Sequence, residues 1–68
     1  MKPEYKIISD LIEKNAKVLD VGCDDGTLME FLKKNKNVNI RGIEISKKKC
    51  KLVLLRGFQL SRGMQNLI

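Results

Sequence analysis

Residues 17–26 read Lys-Val-Leu-Asp-Val-Gly-Cys-Asp-Asp-Gly, and eighteen residues after Gly26 comes Glu44 within Gly-Ile-Glu-Ile-Ser. An apolar run ends in an acid, a glycine-bearing turn follows, and a helical pattern begins. A second apolar run then ends in a single carboxylate. This is the layout of a β-α-β unit with polar groups at the carboxyl ends of both strands, the place where open α/β sheets bind small molecules.

Working outward, the pattern predicts a helix over residues 3–15. Pro3 suits a first turn, and Ile7, Ile8, Leu11 and Ile12 recur at helical spacing. Lys17–Val21 reads as a short strand and Gly22–Gly26 as a turn. Leu28, Phe31 and Leu32 mark the face of a second helix starting at Thr27 and ending in the polar stretch 33–37. Val38, Ile40, Ile43 and Ile45 form a second strand. Ile40 and Ile43 break strict alternation, which predicts a bulge or bend at Arg41-Gly42. Ser46 is an N-cap for a third helix over roughly 47–56, with Gly57 set to stop it. The order α-β-α-β-α implies an α/β fold with parallel strands and right-handed crossovers. Two strands make a poor sheet, since three or more are usually needed for independent stability. The expectation is therefore the first part of a larger α/β domain.

The chain of 68 residues holds one domain at most, with marginal stability. It has two cysteines and no histidine, so neither a disulfide framework nor a metal cluster is evident. Met1-Lys2-Pro3-Glu4 leads into a charged amphipathic segment and not an apolar signal region. Together these predict a reduced, cytoplasmic protein, without a membrane partner. The net charge of +6 is uneven. Residues 1–44 hold eight Lys/Arg and eight Asp/Glu, whereas residues 45–68 hold Lys47, Lys48, Lys49, Lys51, Arg56 and Arg62 and no acid. A basic segment of this kind admits a nucleic-acid-binding module as an alternative. Its weakness is the lack of stacking residues: Tyr5, Phe31 and Phe58 are the only aromatics, and no nucleic-acid motif is matched.

The first turn narrows the ligand. A phosphate-binding P-loop is excluded, because no lysine follows Gly26. A dinucleotide site is an alternative, disfavoured because Asp24 and Asp25 at the helix entrance would repel a pyrophosphate. A cationic or zwitterionic ligand suits the same carboxylates, and S-adenosylmethionine carries a sulfonium and an ammonium with no phosphate. Asp20 could hold the ammonium, the helix N-terminus the carboxylate, and Glu44 both ribose hydroxyls, since a carboxylate matches a vicinal diol.

These residues also carry a resemblance. Val18 to Leu28 resembles the first motif of class I S-adenosylmethionine-dependent methyltransferases, and Arg41 to Ser46 looks like the MetW family of methionine biosynthesis proteins, with similarity over residues 1–49. The resemblance implies a Rossmann-like methyltransferase fold, of which this chain is a truncated N-terminal portion. It implies S-adenosylmethionine as cofactor and homoserine O-acetyltransferase as partner. By position it assigns Asp20, Gly22, Cys23, Asp24, Gly26, Glu44 and Ile45 to cofactor binding and leaves the catalytic residues unknown. Here Asp24 stands where the family's turn, Gly-Cys-Gly-Asp-Gly, has its middle glycine. If that position needs a positive φ, aspartate adds strain of about 1–3 kcal/mol and weakens cofactor affinity. Residues 50–68 read as an atypical basic tail, with no apolar strand and no strand-end acid after Gly57. Back-translated with a one-base offset, they permit Ser-Val-Ile-Glu-Gly-Asp-Ala-Glu, with alanine forced at the Met64–Gln65 junction. The expectation is an out-of-frame tail.

Overall fold

A computed structural model describes residues 2–61 of the chain. The Met64–Gln65 junction and Arg62 lie outside the described residues. Six elements follow in order: α1 (Pro3–Asp10), β1 (Lys17–Val21), α2 (Thr27–Lys36), β2 (Asn39–Ile43), α3 (Lys47–Leu55) and β3 (Gln59–Ser61). The strands form one parallel sheet in the order β1-β2-β3. This is the Rossmann-like α/β arrangement, with α2 and α3 as the crossovers.

α1 is shorter than its apolar period. The chain tightens after Asp10, with Leu11 N–H donating to Ile8 O and Ile12 N–H to Ser9 O. Asn15 then turns at φ 65° and its N–H donates to Lys36 O at 2.7 Å. That bond ties the start of β1 to the end of α2, so the helix must stop early enough for the chain to come round. Ile12 still packs on the core, while Leu11 is expelled to solvent.

The core sits on one face of the sheet. Val18, Ile40 and Leu60 point into a cluster with Met29, Leu32, Val38 and Val53, and the last four are fully buried. Ile8, Leu28 and Phe31 complete it from α1 and α2. Successive strand residues face opposite ways, so Leu19 and Val21 stand on the other face and are exposed.

β2 has no bulge. It runs in unbroken register with β1, Val18 opposite Ile40 and Asp20 opposite Gly42. The alternation breaks because the inward position after Ile40 is a glycine held for space. A Cβ at Gly42 would lie 2.6 Å from Cys23 Sγ and 3.1 Å from Met29 Sδ. Ile43 faces the opposite side from Ile40.

Within the basic segment α3 forms where the sequence places it, and β3 is the element that periodicity does not announce. α3 starts at Ser46, whose hydroxyl accepts Lys49 N–H, and it buries Cys50 and Val53. β3 then pairs with β2, Arg41 opposite Gln59. It is three residues long with one apolar residue, so nothing in its own pattern marks a strand. The exposed edge of β2 recruits it. Arg41 reinforces the pairing by donating to Gln59 Oε1 at 3.1 Å and Ser61 Oγ at 3.4 Å.

Candidate functional site

Two turns meet at the carboxyl end of the sheet. The first, Gly22–Gly26, is pinned to β2 by Gly22 N–H and Cys23 N–H, which donate to Ile43 O at 2.8 and 3.2 Å. Gly22 adopts φ 70°, and no heavy atom lies within 4 Å of where its Cβ would be. The left-handed conformation explains the glycine, and its open surroundings leave backbone accessible. Asp25 Oδ1 accepts the Thr27 N–H at 3.1 Å, the first N–H of α2. That bond holds the Asp25 carboxyl below its usual range. Gly26 is buried against the end of α3, with Val53 and the following Arg56 beside it. Cys23 is also turned inward, 4% exposed, and burial foremost, with the nearby Asp20 and Glu44 charges, pushes its thiol up to about 11.

Asp20 ends β1 on the helix-covered face. Its Oδ2 atom is buried and has no hydrogen-bond partner, and burial raises its pKa. Glu44 follows β2 at the same end of the sheet, and both carboxylates act on Cys23. Both strand-end acids thus lie at one end of the sheet.

The environment of Glu44 differs from that expected of a ribose ligand. Its Oε1 accepts Asp24 N–H at 2.8 Å, and its Oε2 accepts Ile45 N–H and Ser46 N–H, each at 3.0 Å. These bonds, Ser46 N–H first, lower its pKa. The carboxylate thus closes on its own backbone. Ile45 contributes its N–H here, and its side chain is half exposed.

Asp24 has φ 58°, so the position does require the left-handed region. Its carboxylate meets Lys49 Nζ at 2.5 Å, a contact that raises the Lys49 pKa. Lys49 was hidden in the run Lys47–Lys49, which reads as a solvated helix start. The available signal was its position three residues after the Ser46 cap, which brings it back over the first turn. Arg56, another cation of the basic segment, pairs with Glu30 and donates to Asp25 O. A cavity of about 410 Å³ flanks the first turn, lined by Lys2, Tyr5, Asp24, Asp25 and Thr27.

Asp20 makes a pH-dependent prediction. Its pKa is raised on folding, so the stability gained by protonating it is present below the unfolded value, near 3.8, and lost as pH rises through the folded value. Asp20→Asn removes the desolvated charge and is therefore expected to stabilise the chain at pH 7. Thermal melts should show the advantage shrinking as pH falls to the carboxylate range. An equal advantage at both pH values would refute the assignment of an uncompensated charge.

Among the described residues no helix is long and apolar enough to cross a membrane. A search of curated proteins finds no match. The family model described as methionine biosynthesis protein MetW matches residues 2–66, so the likeness continues well past Lys49, where the sequence reading ended it. With a parallel β-α-β core, acids closing β1 and β2, and a match over nearly the whole length, this chain belongs to the MetW family of methionine biosynthesis proteins.

Proposed function

We propose that this MetW-family chain recognises S-adenosylmethionine in the crevice between its two strand-end turns, as the cofactor-binding part of a methyltransferase-like protein. The observation that carries the reading is the buried, unpartnered Oδ2 of Asp20 near the end of β1, two residues before the open turn at Gly22. A partly desolvated carboxylate with no cation of its own favours an ammonium or sulfonium group over a phosphate.

The donor and acceptor set fits this ligand in a defined way. Asp20 would take the ammonium end, and the turn at Gly22 lets ligand atoms approach the backbone. Glu44 Oε2 is filled by two N–H donors, and Oε1 by one. A carboxylate has about four acceptor sites, so one remains for a ribose hydroxyl. Holding both hydroxyls requires Glu44 to release Asp24 N–H. When bound, the cofactor supplies an electrophilic methyl group. Transfer of that group is mainly a matter of positioning, and the reading extends to recognition and not to turnover. Homoserine O-acetyltransferase is the proposed partner, on the resemblance of the two motifs alone.

Calorimetric titration tests the reading. S-adenosylmethionine is expected to bind, NAD to give no heat, and Asp20→Asn to weaken binding about tenfold, the scale of a charged hydrogen bond. Asp24→Gly is expected to tighten it, since a side chain leaves the crevice. NAD binding as well as S-adenosylmethionine, or an unchanged affinity in Asp20→Asn, would overturn it. The nucleic-acid alternative predicts instead a steep loss of oligonucleotide affinity with salt. Internal pairing of Lys49 and Arg56 counts against it.

A further inference from the structure

Four residues close a circuit between the two strand-end turns. Glu44 Oε1 accepts Asp24 N–H at 2.8 Å. Asp24 Oδ1 meets Lys49 Nζ at 2.5 Å. Lys49 N–H donates to Ser46 Oγ at 3.4 Å. Ser46 N–H donates to Glu44 Oε2 at 3.0 Å, which returns to the start. The circuit joins the turn after β1 to the first turn of α3, over the ends of both strands. Asp24 sits in it at φ 58°, a left-handed conformation that aspartate adopts more readily than most residues with a side chain.

We infer that Lys49 is a positioning residue for this crevice: through Asp24 it straps the two turns together, keeps Glu44 on the backbone, and holds the site shut until a ligand displaces the strap. The inference rests on the ligand reading above. Lys49 reaches Asp24 from a capped helix end, so its ammonium is tethered and acts at high effective concentration. Opening the strap frees the Asp24 side chain and releases one Glu44 oxygen together. Those are the two changes that a diol-bearing ligand needs.

The strap acts by closing space, so its effect reaches every adenosine ligand, charged or neutral. Lys49→Met is expected to tighten both S-adenosylmethionine and neutral 5′-methylthioadenosine by about 2- to 5-fold, the range of an exposed ion pair. Asp24→Asn should do the same, and the double variant should gain no more than either alone, because both release one contact. Lys49→Arg should restore the wild-type affinity. Without ligand, Lys49→Met should speed hydrogen exchange at Asp24 N–H. The inference falls if Lys49→Met changes neither affinity nor exchange. It also falls if only the cationic ligand responds, which would mark simple charge repulsion, or if the two single effects add. Failure of the ligand reading looks different: wild type and all variants then bind neither adenosine compound, and the strap has no site to close.

Discussion

Gly42→Ala is expected to lower the melting temperature by about 4–24 °C. The added methyl would sit 2.6 Å from Cys23 Sγ and 3.1 Å from Met29 Sδ, and both neighbours are buried in the core. Cys23 has a short side chain on a backbone held by its N–H bond to Ile43 O. Met29 is fully buried against Leu32 and Val53. Overpacking a closed core costs about 1–3 kcal/mol, and a domain this small loses about 4–8 °C per kcal/mol. Total stability for such a chain is on the order of 3–10 kcal/mol, so the loss is a large fraction of it. Circular dichroism melts measure the effect. A second substitution separates clash from any loss of strand propensity: Cys23→Ala in the same chain removes the 2.6 Å contact and should recover much of the loss. A Gly42→Ala chain that melts like wild type would show that the sheet can part at this point, against the close approach of β2 and the first turn.

Glu44→Ala is expected to loosen the carboxyl end of the sheet and to destabilise the chain by about 1.5 kcal/mol, the lower end for hydrogen bonds to a charged group. The lower end applies because water can reach the three N–H groups left behind. Loss of the carboxylate unties Asp24, Ile45 and Ser46 together, so the first turn and the start of α3 should open jointly in amide exchange. The effect has a definite pH sign. The Glu44 pKa is lowered on folding, so its contribution is present above the unfolded value, near 4.5, and disappears as pH falls through the folded value. Wild type and Glu44→Ala should therefore differ at neutral pH and converge in acid. A gap that persists in acid would mean that lost packing, and not the charged acceptor, accounts for the effect.

The legible parts of this chain were those whose cause is local. β1, α2 and the start of α3 follow from apolar period, turn residues and a cap, and they lie where the sequence places them. The two strand-end acids were equally plain, because a parallel β-α-β crossover leaves them at one end of the sheet. The misread parts have causes that are distant in sequence. α1 stops at Asp10 because Asn15 must reach Lys36 O. Arg41-Gly42 resembled a bulge because nothing nearby announces Cys23 pressing on Gly42. β3 is a strand because β2 offers an edge and Arg41 offers donors.

By itself, then, the order of residues determined a parallel α/β core with a carboxylate closing each of its first two strands, since periodicity and chirality act within a few residues. Only the tertiary structure decided what those carboxylates meet. Asp20 Oδ2 is left without a partner by the helices that cover it, while Glu44 is engaged by backbone from both turns and flanked by the Asp24–Lys49 pair. Solvation and hydrogen bonding depend on which groups the folded chain brings within about 3 Å of one another, and for these two acids the groups come from separate turns that meet only when the sheet forms.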